Sequence, residues 1–152
     1  MSPLLPLLSD DQVVLDADVH DRESLFRLAA DLLAARQGLH GKDVFHALLE
    51  REKMGSTAMG HGIAIPHARI AGLREATGAY IRTRAPLAFG AYDGKPVSQF
   101  LFLLVPKEAN ERHLQLMAAA AELLSDPAIR RELGSCRRGE EVLERVAAWS
   151  GA

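Results

Sequence analysis

The chain has 152 residues, 48% hydrophobic and 25% charged, which suits one globular domain with a real core rather than two. A net charge of −2, with both signs mixed along the chain, excludes the basic footprint of a nucleic-acid-binding protein. The single cysteine, Cys136, excludes an internal disulfide and reads as an ordinary surface or helix-end thiol.

In chain order, Met1 to Leu8 is apolar. It lacks a basic start and is too short to span a bilayer, and no other run is long enough. The expectation is a cytoplasmic protein without membrane insertion. Val13-Val14-Leu15 suits a short edge strand, and Asp21 offers an N-cap to a helix whose Leu25, Leu28, Ala29, Leu32 and Leu33 recur at helical spacing. A second helix is predicted from about Lys42 to Glu52, with Val44, Phe45, Leu48 and Leu49 on its apolar face. Gly55 to Gly62 breaks the pattern as a glycine-rich loop, and the short apolar run Ile63-Ala64-Ile65 stops at Pro66. Gly78 to Thr83 and Phe100 to Val105 read as strands, the second apolar enough for a central one. Three helices follow. Asn110 caps the first, Asp126-Pro127 opens the second with Gly134 as its stop, and Glu140-Glu141 begin the last. No linker, low-complexity tract or repeat divides the chain. The class is α/β, a small mixed β-sheet flanked by helices in a single domain over residues 1–152.

Three features can carry chemistry. Gly55 and Gly60 have the spacing of a Walker loop, but His61-Gly62 replace its lysine and hydroxyl, and the glycine order is wrong for a Rossmann turn. The loop, with Gly55, Ser56, Thr57, Gly60 and Gly62, is therefore either a backbone cradle for an anion or a tight connector. His67 follows Pro66, which should end the strand and present the imidazole at its tip. A neutral imidazole nitrogen is nucleophilic near pH 7, so His67 is either a phosphoryl acceptor or a hydrogen-bonded surface residue. His113 falls in the first turn of the Asn110 helix, on the face of Leu116, Met117, Ala120 and Leu124. It is either an anion ligand at a helix N-terminus or a partly buried structural residue. Arg51 is a cation next to the loop, suited to phosphate oxygens or to the helix C-terminus. Lys53, Arg69 and Arg74 are further local charges. Met59 is a candidate contact for several partners.

The segments Arg51-Glu52-Lys53-Met54-Gly55-Ser56-Thr57 and Gly60-His61-Gly62-Ile63-Ala64-Ile65-Pro66-His67 together resemble the signature of the fructose/mannitol-type IIA domains of the bacterial phosphotransferase system. Within that family the likeness is to the stand-alone nitrogen-regulatory branch. It extends over nearly the whole chain, through Asp93-Gly94-Lys95-Pro96-Val97, Leu104-Val105-Pro106 and Arg112-His113-Leu114. The resemblance implies that His67 accepts the phosphoryl group, His113 orients or stabilises it, and Arg51 meets its charge. It implies an HPr-like phosphocarrier as donor, charged by enzyme I from phosphoenolpyruvate, regulated target proteins as partners, and neither metal nor other cofactor. His61 departs from the pattern, since asparagine or another small polar residue is usual there. Whether it joins the site or lines its rim stays open.

Other readings stand beside this one. A sugar relay would pass the phosphoryl group to a IIB domain, which the chain has no room to contain. A metal site on His61, His67 and His113 lacks recognised ligand spacing. A pure interaction module would carry no covalent chemistry at all.

Overall fold

The computed structural model describes residues 2–108 and 110–149. Two 3₁₀ turns, Leu5–Leu7 and Asp10–Gln12, precede strand β1 (Val13–Ala17). Helices α1 (Arg22–Gln37) and α2 (Gly41–Lys53) come next, then strands β2 (Ala58–Gly60), β3 (Ile63–Ala64), β4 (His67–Ile70), β5 (Thr77–Leu87) and β6 (Val97–Pro106). Helices α3 (Glu111–Ser125), α4 (Pro127–Ser135) and α5 (Gly139–Ala148) close the chain.

The helix ends follow local chemistry. Asp21 accepts the Ser24 N–H at 2.7 Å, and Gly38 closes α1 in the left-handed region at φ 67°. Asn110 and Asp126 cap α3 and α4 as expected. Gly134 does not stop α4, which runs on to Ser135. A helical glycine loses propensity but no hydrogen bond, so it did not have to be the end.

The sheet is mixed, in the order β1-β5-β6-β3-β2, with β4 also on β6. β1 is an edge strand, parallel to β5, as its sequence predicted. β5 and β6 are antiparallel, and β6 lies at the centre. Alternation along β6 divides the core. Phe100, Phe102 and Leu104 face α1 and α2, with Phe26 edge-on to Phe102 at 5.5 Å, while Leu101 and Leu103 face α3, α4 and α5. The result is a sheet with helices on both faces.

Two strands escape sequence reading. Part of the expected loop is β2, which forms a hairpin with β3. Pro66 interrupts the strand without ending it: β3 and β4 keep one parallel register on β6. Ile63 lies opposite Gln99, Ala64 opposite Phe100, His67 opposite Leu103 and Ile70 opposite Pro106. Proline cannot donate, but the Pro66 carbonyl still accepts the Leu103 N–H at 3.0 Å, so the ladder passes through it. His67 is thus at the start of a strand, but as the first residue of β4 it is paired into the sheet opposite Leu103 rather than lying outside it.

Candidate functional site

His67 is half-buried. Its neighbours Ala68 and Ile70 belong to the core under α1 and α2, so strand alternation turns His67 to the face covered by α3, α4 and α5. Its Nδ1 lies 2.9 Å from the Ile65 carbonyl oxygen. A carbonyl can only accept, so Nδ1 carries the proton, and the lone pair of the neutral ring is on Nε2. Burial pushes the imidazole below its ordinary value of 6.5. The hydrogen bond to Ile65 opposes this, the Arg51 charge reinforces it, and the Glu52 carboxylate opposes it. The neutral, nucleophilic form is therefore favoured at pH 7.

The charges of Arg51 and Glu52, in the last turn of α2, both act on His67. The Arg51 Nη1 donates to the Gly55 carbonyl at 2.9 Å, which ties the guanidinium to the start of the loop. The loop's own polar groups are mostly engaged within the protein. The Thr57 N–H and hydroxyl both donate to Glu52, at 2.7 and 2.8 Å. The Ser56 hydroxyl donates to Phe89 O at 2.8 Å and accepts the Ala58 N–H, and the Gly55 N–H donates to Glu52 O. Gly60 and Gly62 are at positive φ, 83° and 78°, around the β2–β3 turn.

His61 occupies the first central position of that turn at φ 58° and is exposed. Its N–H donates to the Asp93 carboxylate at 2.9 Å, joining the hairpin to the β5–β6 connection. A two-residue turn with both φ positive favours Asn-Gly, which is the physical reason for asparagine in the resembling signature. His61→Asn is therefore expected to stabilise the fold by about 0.5–1 kcal/mol in chemical denaturation. A loss of stability would show that the imidazole makes contacts of its own.

His113 sits at the third position of α3. Its N–H donates to the Asn110 side chain at 3.3 Å, and its Nδ1 accepts the Asn110 N–H at 3.1 Å. That reciprocal cap leaves Nδ1 without a proton, so the neutral ring bears its proton on Nε2 as a donor. His113 lines a cleft of about 430 Å³ with Arg74, Arg112, Pro3 and Leu7 among its walls. His67 does not line this cleft, and no hydrogen bond joins the two histidines among the described residues.

Glu52 was missed as a site residue, although α2 places it in line with Val44 and Leu48 at intervals of four, on the buried face. A charge on an apolar stripe is a signal that spacing alone could have flagged. Met59 is only partly exposed and packs on the core beneath α3, α4 and α5. Cys136 is buried rather than at the surface. It lies at the end of α4, and burial, with Glu141 beside it, pushes its thiol up and away from thiolate chemistry. Among the described residues no three His, Cys, Asp or Glu side chains are clustered to hold a metal. No helix among the described residues is long and apolar enough to cross a membrane.

With this geometry the chain can be set beside known proteins. Residues 6–148 match the family model described as the phosphoenolpyruvate-dependent sugar phosphotransferase system, EIIA 2. The chain is 37% identical over 126 residues to a nitrogen regulatory protein of Klebsiella oxytoca, covering 82% of this chain and 78% of that one. It is 32% identical over 145 residues to one of Bradyrhizobium diazoefficiens, covering 95% of each. Its fold matches the crystal structure of nitrogen regulatory protein IIA-Ntr from Neisseria meningitidis with a TM-score of 0.90 at 43% identity, covering 94% of this chain and 98% of that one.

Proposed function

The chain belongs to the EIIA type-2 family of the phosphoenolpyruvate-dependent sugar phosphotransferase system, and from that premise we propose that it carries a phosphoryl group on Nε2 of His67. The observation that supports this most directly is the Nδ1–H hydrogen bond to Ile65, which leaves Nε2 as the free nucleophile in a ring kept neutral by burial. An HPr-like phosphohistidine carrier is the donor. The Nε2 lone pair attacks phosphorus and a new P–N bond forms. The carrier's P–N bond breaks, and its electron pair returns to the carrier's imidazole. No metal or other cofactor enters the step.

Arg51 meets the developing negative charge, and the Nε2–H of His113 is the donor that steadies a phosphoryl oxygen. With the Ser56 and Thr57 hydroxyls and the Gly55, Thr57, Ala58 and His61 N–H groups engaged within the protein, the loop with Gly55, Ser56, Thr57, Gly60 and Gly62 holds the site's walls and leaves its remaining N–H groups for the phosphoryl oxygens. His113→Ala should still accept phosphoryl, but about ten- to a hundredfold more slowly, the size of one lost charge-assisted hydrogen bond. Unchanged kinetics with donor and acceptor would leave His113 a helix cap and nothing more.

The relatives named nitrogen regulatory proteins favour a regulatory role. Phosphorylation places roughly two negative charges on His67, enough to alter which proteins bind the surface around it. The family's description as a sugar system favours a second reading, transfer onward to a separate IIB domain. Incubation with phosphoenolpyruvate, enzyme I and the carrier, followed by mass mapping, tests the acceptor. Adding a sugar-specific IIB distinguishes the two readings, since only a relay component passes the label on. Label on any residue but His67 would overturn the assignment.

A further inference from the structure

Glu52 is the only buried charged side chain among the described residues, with 4% of its surface exposed. Such a carboxylate is costly to bury, and no lysine or arginine forms an ion pair with it among the described residues. Its two oxygens are instead held by one residue: Oε2 accepts the Thr57 N–H at 2.7 Å and Oε1 the Thr57 hydroxyl at 2.8 Å. The chain of contacts continues. The Thr57 carbonyl accepts the Ile65 N–H at 3.1 Å, and the Ile65 carbonyl lies 2.9 Å from Nδ1 of His67.

We propose that Glu52 is a positioning residue for the phosphoryl site: through Thr57 and the Ile65 peptide it holds the Nδ1 edge of His67, so that Nε2 is the nitrogen left to react. This rests on the reading of His67 as the acceptor. The arrangement has two effects. Glu52 fixes Thr57, Thr57 fixes the Ile65 peptide, and that carbonyl fixes both the tautomer and the tilt of the ring. The carboxylate also adds negative charge on the Nδ1 side of the ring. Once Nε2 bears phosphorus and Nδ1 keeps its proton, the imidazole is cationic. A buried anion on its far side stabilises that form, from which the ring leaves as a neutral imidazole when the phosphoryl group moves on. The charges that act on His67 are Arg51 and Glu52, adjacent on α2 and opposed in sign. Arg51 is tied to the loop through the Gly55 carbonyl, and Glu52 is linked through Thr57 and Ile65 to the Nδ1 edge of the ring, away from Nε2.

The test uses the full chain as wild type, Glu52→Gln, Glu52→Ala and Thr57→Val, with circular dichroism to confirm folding. Nitrogen-15 NMR of the histidine rings reads the tautomer and titration of His67, and the phosphocarrier assay reads transfer. Wild type should show a single tautomer protonated on Nδ1. Glu52→Ala should lose that single signature and accept phosphoryl about tenfold or more slowly. In Glu52→Gln the amide can serve both Thr57 groups once the hydroxyl turns, so the tautomer should persist. With the anion gone, His67 should titrate at lower pH than in wild type.

A folded Glu52→Ala protein with wild-type tautomer and transfer rate would overturn the proposal. If that variant does not fold, an unchanged His67 titration in Glu52→Gln together with an unchanged tautomer in Thr57→Val overturns it equally. The ring signature decides the matter even if wild type takes no phosphoryl group, a result that would sink only the reading of function.

Discussion

His67→Ala is expected to take no label from a phosphorylated carrier while keeping its fold. The imidazole is the proposed nucleophile, since the Ser56 and Thr57 hydroxyls and the Glu52 carboxylate are tied up in hydrogen bonds within the protein. Its Nδ1 is occupied by Ile65, its Nε2 makes no hydrogen bond among the described residues, and burial favours the neutral ring. Arg51 and the Nε2–H of His113 are donors and cannot substitute for a nucleophile. Because the ring is only half-buried and outside both core clusters, removing it should leave the cooperative unfolding transition in place. The same geometry sets a pH dependence in the wild type. The reactive form is the neutral ring, and its pKa is depressed below 6.5. Transfer should therefore persist to lower pH than an ordinary histidine would allow, and fall as the pH drops through the lowered value. A fall that begins well above 6.5 would contradict the burial argument, and full labelling of His67→Ala would remove His67 from the mechanism altogether.

The largest expected effect on stability is at Phe102. Its side chain is fully buried on the central strand, edge-on to Phe26 and stacked with Phe100 at 6.2 Å between ring centres. Phe89 completes the group against Phe26 and Phe100. Truncation to alanine removes the transfer free energy of a phenyl ring and leaves a void that the flanking strands cannot collapse to fill. The expected cost is about 3–5 kcal/mol, read as a lower midpoint in urea with the slope unchanged. A domain of this size has only about 5–15 kcal/mol in total, so the variant should be close to unfolding at physiological temperature. A cost below about 1 kcal/mol would mean that these rings are not the element that fastens α1 to the sheet.

What the sequence by itself determined was whatever depends on neighbours along the chain. Asp21, Asn110 and Asp126 identify helix starts because a cap binds an N–H two or three residues away. The apolar run Phe100 to Val105 identifies the central strand because burial on both faces needs no partner to be named. The segment from Arg51 to His67 identifies the family because its residues are close together in the chain.

The tertiary structure alone decided what depends on distant segments. β2 and β4 are three and four residues long, too short for a period to show, and they exist as strands through pairing with β3 and β6. Pro66 reads locally as a stop, yet a parallel ladder donated from Leu103 carries the register through it. The choice of Nε2 over Nδ1 is likewise absent from the sequence, because two ring nitrogens of one histidine differ only in what each one touches. Here a carbonyl two residues away touches Nδ1, and it is held there by Thr57 and a buried carboxylate brought up from the end of α2.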